Sequence, residues 1–352
     1  MVDYPVGLDS QVLKVMKLLD VGSGDGVHLI GFYGMGGVGK TSLASAVYNL
    51  IAGHFDGSCF LQNVREKSNK HGLDHLQSII LSEILGDKRI MFPSEQQGIS
   101  MIQHRLQKKR LLLILDDVDK HEQLQTLVGR PHWVGRGSKV IITTRDKHLL
   151  TSHHVQETYE VKKLNKNHAL QLLTWKVFKS EHVYPAYVEV LNRAVTYACG
   201  LPLALEVIGA NLCGKSIQEC ESVIDQYKII PNNRIQETLK VSFDALQEEE
   251  KRVFLDIACC FKGYKLTEVE DILHAHHGAC MKYQICVLAE KSLIKIDQYD
   301  RVTLHDLVED MGKEIVRQES PEEPGKRSRL WLPNAIIQVL EDNTVSELFL
   351  MC

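Results

Sequence analysis

The sequence predicts an α/β domain with a parallel sheet and helices on both faces, followed by a helical subdomain and a winged-helix subdomain. Three observations carry this. Short apolar runs alternate with helix-period segments as far as about Glu160. One such run, "HLIGFYG", breaks into the glycine-rich loop "GMGGVGKTS" (Gly34–Ser42), and another, "LLLILDD", ends in two carboxylates. Beyond Glu160 strand-like runs become rare and helical periodicity takes over.

Taken in order, "KTSLASAVYNLIAGHF" follows the glycine loop as a helix, with Leu43, Val47 and Leu50 or Ile51 on one face. "SCFLQNV" reads as a second strand. "LDHLQSIILSEILG" reads as a helix capped at Asp74 and stopped near Gly86. "GISMIQHRLQKKR" is another helix, "LLLILDD" a fully buried strand, and "GSKVIITTRD" a strand ending at Thr143, Thr144 and Arg145. "NHALQLLTWKVF", "YVEVLNRAVTYACG", "PLALEVIGANLCG" and "IQETLKVSFDAL" are helices, two of them punctuated by Gly200-Leu201-Pro202. From about Glu248, "EEKRVFLDIACCF", "TEVEDILHAH", "YQICVLAEKSLI" and "TLHDLVEDMGKEIVRQE" continue as helices around a hairpin at Tyr299-Asp300. A helical bundle closed by a hairpin resembles a winged-helix unit. "SPEEPGKRSR" reads as an exposed linker rich in proline and charge.

Composition narrows the class. The 352 residues suffice for two or three units of ordinary size, and the 44% hydrophobic and 24% charged content suits a water-soluble globular chain. A net charge of −4 points neither to nucleic acid nor to an acidic membrane surface. Nine cysteines without a C-x-x-C read as reduced core residues of a cytoplasmic or nuclear protein. "MVDYPVGLDS" reads as domain sequence, so no leader is expected from it, and the longest apolar runs are too short to cross a bilayer. "HAHHGAC" lacks a second ligand pair for a structural metal and reads as a polar helix end. The basic stretches at Lys108–Arg110 and Arg327 lack interleaved aromatics and read as solvated surface.

The glycine loop fits two signatures: the G-x-G-x-x-G of a dinucleotide turn, and the G-x-x-x-x-G-K-[ST] of a P-loop for a nucleoside triphosphate. The first needs an acidic residue ending the second strand. Asp56 has the spacing but precedes that strand. The second needs a carboxylate on a buried strand, and Asp116 supplies it. On the P-loop reading, backbone N–H groups from Gly36 to Gly39 cradle phosphates, Lys40 neutralises β/γ oxygens, and Thr41 with Asp116 holds Mg²⁺. Asp117 is expected to orient a water and Arg145 to sense a γ-phosphate.

The ordered motifs resemble the NB-ARC module of plant TIR-type intracellular immune receptors, from about Val6 to Arg329. The residues are "GMGGVGKT", "FDGSCFLQNVRE", "LLLILDDVD" with its closing Asp119, "GSKVIITTRD", "CGLPLALEVIG", "FLDIACCFKG" and "VTLHDLVEDMG". The resemblance implies an α/β P-loop NTPase domain (1–160), a small helical subdomain (161–232), a winged-helix subdomain (233–320) and a linker with a truncated tail (321–352). It implies ADP/ATP and Mg²⁺ as cofactors, and contacts from Val6, Gly34, Gly36, Gly37, Val38, Gly39, Lys40, Thr41 and Ser42. Pro202 is expected beside the adenine and His305 on the ADP β-phosphate of a closed state.

Two substitutions depart from the family pattern. Leu304 replaces the usual Met before His-Asp, and Gln11 replaces the usual Arg after "VGLDS". A TIR domain and leucine-rich repeats are expected in such a receptor and absent from this chain, as in a fragment or a truncated product. The function implied is an ADP-off, ATP-on switch, at most a slow ATPase, that self-associates or pairs with full-length receptors. A truncated binding-only adaptor or decoy and a fast catalytic P-loop ATPase or kinase are the alternatives. The last lacks an Arg-rich lid and an acceptor site.

Overall fold

The computed structural model describes residues 6–20, 26–87, 90, 94–129, 131–229, 231–278 and 280–341. Cys352 and the tail from 342 lie outside them. The chain divides into two compact units, one spanning 1–34 and 38–172, the other 35–37 and 173–352.

The first unit opens with α1 (Asp9–Asp20), then runs β1 (His28–Tyr33), α2 (Lys40–Ile51), β2 (Gly57–Leu61), α3 (Val64–His71), α4 (Leu73–Leu85) and α5 (Glu95–Leu106). It continues through β3 (Leu111–Val118), α6 (His121–Leu127), β4 (Lys139–Thr144), α7 (Lys147–Ser152), β5 (Glu157–Glu160) and the start of α8 (Lys166–Phe178). The five strands form one sheet in the order β2-β3-β4-β1-β5, and every pairing is parallel. Strand alternation sorts β3 between two faces. Leu111, Leu113 and Leu115 join a buried cluster with Leu76, Ile80 and Leu81 of α4 and Ile102 of α5. Leu112, Ile114 and Asp116 alternate with them, and Asp116 meets Thr41 of α2.

The expected strands and helices of this unit are present, with shifted ends. Gly72 at φ +83 caps α4, so Asp74 stands inside the first turn; Gly86 ends the helix at φ +71. Ser94 starts α5 one residue before Glu95 by accepting from the Gln97 N–H, earlier than the sequence reading placed it. β5, "ETYE", was not anticipated: an edge strand four residues long and only partly buried has no apolar run to betray it.

The second unit carries α9 (Val188–Ala198), α10 (Pro202–Leu212), α11 (Ile217–Ile229) and α12 (Asn233–Asp244). α13 (Glu248–Asp256) passes into a π-helical turn at Ile257–Phe261, and α14 (Leu266–His277) and α15 (Lys282–Glu290) follow. An antiparallel pair, β6 (Lys295–Ile296) and β7 (Val302–Thr303), forms the hairpin expected at Tyr299-Asp300. α16 (Asp306–Glu319) and α17 (Pro333–Glu341) close the described chain. Gly312 fits α16 against the π-turn, since a Cβ there would lie 2.6 Å from Ala258 Cβ. His277 at the end of α14 contacts Asp256 at 2.9 Å.

Two expectations are corrected here. Within residues 320–329, Pro321, Glu322, Glu323, Lys326 and Ser328 are exposed as expected, but the solvated reading fails at Arg327. Arg327 is 7% exposed and donates to the carbonyls of Ser320 (2.8 Å) and Pro321 (2.6 Å), and Arg329 donates to the nearly buried Asp256 at 2.6 Å. The cysteines are not uniformly core residues: Cys59, Cys220 and Cys259 are buried, whereas Cys213, Cys260, Cys280 and Cys286 are exposed. Among the described residues no helix is long and apolar enough to cross a membrane.

Candidate functional site

Topology gathers the site at the C-terminal ends of the strands. From β1 the chain crosses to the far edge strand β2; from β4 it crosses β1 to reach β5. Connections that leave neighbouring strands in opposite directions open a crevice between them. The glycine loop follows β1, Asp116 and Asp117 end β3, and Arg145 follows β4.

The loop demands glycine where its backbone turns left-handed. Gly37 lies at φ +77 and Gly39 at φ +98. Gly39 is the N-cap of α2 and no side chain caps that helix. An uncapped helix start facing a crevice is an anion site in waiting, because the first-turn N–H groups and the helix dipole favour negative charge. Lys40 is 8% exposed and donates from Nζ to the Gly34 carbonyl at 2.7 Å, which holds it along the loop. Burial, with Arg145 as the second cause, pulls its ammonium down to about 7, against the attraction of Asp117 and Asp116.

Asp116 is 1% exposed, and its Oδ1 accepts two hydroxyls: Thr41 Oγ1 at 2.8 Å and Thr143 Oγ1 at 2.7 Å. The hydroxyl and carboxylate that the sequence assigned to a metal are thus in direct contact. Oxygen donors of this kind suit Mg²⁺ held through its water shell. Glycine loop, uncapped helix, buried lysine and Thr-Asp pair together fit a magnesium-bound polyphosphate.

Asp117 departs from strand geometry. The β3–β4 register jumps between Leu115 and Val118, and Asp117 adopts φ +58 at the bulge. Its N–H donates to Thr143 Oγ1 at 2.9 Å, so one threonine ties both aspartates together. The turn delivers the Asp117 carboxylate to two guanidiniums: Arg65 Nε at 2.9 Å on Oδ2, and Arg145 Nε at 3.6 Å on Oδ1. Burial lowers the Arg145 pKa and the neighbouring Arg65 adds to that, while Asp117 opposes both. With Lys40 charged, three cations face two carboxylates, a surplus that suits an anion.

Nothing in "NVRE" marks Arg65 as a site residue from the sequence. Thr143 was named only as a strand end. Gln11, which removes the cation of the family pattern from the adenine side, is 8% exposed; its Oε1 accepts from the Lys162 N–H at 3.0 Å and its Nε2 donates to the Lys162 carbonyl at 3.4 Å. A cation could not accept that first bond. Val6 is half-buried beside Gly7, which turns at φ +70, and Val38 is buried.

The remaining predicted residues lie in the second unit. Pro202 is the first residue of α10, after Cys199 at φ +49 and Gly200 at φ +78. Leu203 N–H donates to the Gly37 carbonyl at 3.2 Å, in keeping with the grouping of residues 35–37 in this unit. His305 is the N-cap of α16: Nδ1 accepts from the Leu307 N–H at 3.3 Å, which leaves the proton on Nε2, 3.3 Å from the Cys199 carbonyl. Asp306 accepts from Cys199 Sγ at 2.9 Å and from Lys262 Nζ at 2.5 Å. Leu304 is 7% exposed, so its apolar volume serves the core as a Met would.

These features match known proteins. A family model described as the NB-ARC domain matches residues 8–183, and one described as the winged-helix domain of Roq1-like disease resistance protein matches 247–320. TMV resistance protein N of Nicotiana glutinosa is 39% identical over 96% of this chain and 30% of its own length. Disease resistance protein RUN1 of Vitis rotundifolia is 42% identical over 93% of this chain and 24% of its own length. The chain therefore spans about a quarter to a third of these relatives. The Walker-type ATPase PABY2304 of Pyrococcus abyssi shares the fold, with TM-score 0.56 at 14% identity over 88% of this chain and 96% of that one. The NB-ARC match over residues 8–183, half of the chain, which spans the glycine loop and the Thr-Asp pair, places this chain in the NB-ARC family of plant disease resistance proteins, as a nucleotide-binding module.

Proposed function

We propose that the chain is the ADP/ATP-dependent switch of a plant intracellular immune receptor, off with ADP and on with ATP, with slow hydrolysis as the reset. The observation that carries this is the shared oxygen of Asp116, which joins the Thr41 hydroxyl of the loop to the Thr143 hydroxyl of β4. Bound nucleotide supplies the phosphate charge and bound magnesium shields it. Gly34, Gly36, Gly37, Val38, Gly39 and Ser42 shape the phosphate loop, Lys40 gives the cation, and Thr41 with Asp116 anchors the metal. Val6 and Pro202 border the base, and His305 reads the β-phosphate in the closed state. Arg145 reads a γ-phosphate, and Asp117 orients water once one of its oxygens is released.

A ligand moves a two-state equilibrium only by its difference in affinity for the states. His305 supplies a contact made in one state, and Arg145 a contact made with one nucleotide. Regions 161–232 and 233–320 are the moving subdomains of this reading, with self-association or pairing with full-length receptors as the output, in the cytoplasm or nucleus. Mass spectrometry of nucleotide carried through purification tests it, together with Lys40→Ala. The reading expects bound ADP in wild type and none in the variant; undiminished ADP or ATP affinity in Lys40→Ala refutes it.

A further inference from the structure

In the second unit α12 and α16 pack together and part to leave a cavity of about 500 Å³ between them. α16 lines it with Met311, Ile315 and Glu319, each four residues on, so one helix face forms the wall. Met311 is 1% exposed and Ile315 half-buried, which makes the floor apolar. The lining carries three carboxylates, Glu237, Glu314 and Glu319, against one ammonium, Lys240. Glu314 is already engaged, since Arg317 donates to both its oxygens at 2.7 Å. Glu319 accepts from the Ser328 N–H at 2.6 Å and hydroxyl at 2.8 Å, neutral donors that leave its charge standing. Glu237 is exposed on the α12 wall, and Lys240 lies 4.0 Å from Asp244 on its own helix. Gln236, also in the lining, has its Nε2 shielded from solvent and without a hydrogen-bond partner. A donor left unpaired in this way is uncommon and marks a place for an acceptor.

We infer that this cavity is a docking site for a short segment of a partner protein, an arginine flanked by apolar residues. Its volume falls within the range of about 300–1,000 Å³ usual for ligand sites. The charge decides the sign of the ligand: carboxylates stand on both walls, so a cation is favoured and an acidic segment is repelled. The apolar floor decides its stem. An arginine lays its methylenes along Met311 and Ile315 and keeps its charged head at the acidic rim. The planar guanidinium, with five donors, matches carboxylates better than a lysine ammonium does. The unpaired Gln236 amide decides the rest, because a backbone carbonyl of the segment supplies the acceptor it lacks. No residue assigned above to the nucleotide lines the cavity, so the proposal does not rest on the switch reading.

The test uses the full chain with ¹³C-labelled methionine methyls and the probe acetyl-Leu-Arg-Leu-amide, with acetyl-Leu-Lys-Leu-amide and acetyl-Leu-Glu-Leu-amide beside it. The Met311 methyl resonance, assigned through Met311→Leu, reports the floor of the cavity. The arginine probe is expected to shift it saturably, the lysine probe to bind less tightly, and the glutamate probe to leave it in place. Glu237→Gln should weaken the arginine probe about threefold, the scale of one exposed ion pair, and Glu237→Gln with Glu319→Gln about tenfold. Gln236→Leu, which removes the unpaired donor, should weaken it about fivefold. An unmoved Met311 resonance, equal shifts by the arginine and glutamate probes, or an affinity unchanged in Glu237→Gln overturns the assignment. A Met311 shift that grows with the chain's own concentration, without peptide, makes a second copy the occupant and overturns it equally. Should Glu319→Gln disturb the Ser328 contact, Glu237→Gln, exposed on α12, decides alone.

Discussion

On the proposed reading, Lys40 should couple nucleotide affinity to pH. In the ligand-free site its ammonium is depressed to about 7, chiefly by burial and then by Arg145. A polyphosphate next to Nζ favours the charged form, so binding above pH 7 must take up a proton. The sign follows: affinity is fully present below about 7 and falls as pH rises through the ligand-free value. With a ligand-free value of about 7, the protonated fraction drops about eightfold between pH 7.5 and 8.5, and ADP affinity should weaken by the same factor. Phosphate titrates near about 6, below this window. Isothermal titration in buffers of differing ionisation enthalpy counts the proton directly and should find close to one at pH 8.5. Lys40→Arg, charged throughout, should bind without the slope. A flat wild-type affinity over this window with no proton uptake refutes the argument.

Other perturbations have defined outcomes. Thr143→Val strands the Asp117 N–H and removes a donor from Asp116, so thermal denaturation should show a loss of about 1–3 kcal/mol, against none for a surface threonine control. Gly37→Ala forces a Cβ into a left-handed turn 2.7 Å from Leu203 Cβ; nucleotide retention through purification should collapse while circular dichroism stays near wild type. Asp306→Val removes the acceptor of Cys199 and Lys262, and stopped-flow release of a fluorescent ADP should quicken; wild-type occupancy and rate sink the His305 latch. Asp256→Ala leaves Arg329 and His277 without their shared acceptor near the protein interior and should cost about 3 kcal/mol in urea unfolding.

The legible part of the site is the part whose chemistry is local in sequence. A glycine loop running into Lys40 and Thr41 fixes a phosphate turn within nine residues, and an all-apolar run ending in Asp116 needs only burial to be read as a central strand. Arg65 was illegible because its partner is 52 residues away and reaches it only through strand order, which no periodicity encodes. The β3 bulge that turns Asp117 depends on register with β4, equally silent in the sequence. Arg327 misled for another reason. Proline and charge look like a linker by composition, yet Arg327 stabilises the segment through backbone carbonyls, and carbonyls carry no sequence signal.

The same arrangement argues for slow turnover. In the ligand-free site both oxygens of Asp117 face a guanidinium. Orienting a water with Oδ2 means giving up the hydrogen bond from Arg65, and such a charge-assisted bond is worth about 1.5–3 kcal/mol. That cost divides the rate by roughly ten to a hundred relative to a site with a free carboxylate. From enzyme rates of about 10 s⁻¹, the chain should turn over at about 0.1–1 s⁻¹, and phosphate release measured under saturating Mg²⁺–ATP checks it. A sustained rate above that level would mean that Asp117 is not restrained by its arginines, and that the nucleotide is fuel rather than signal.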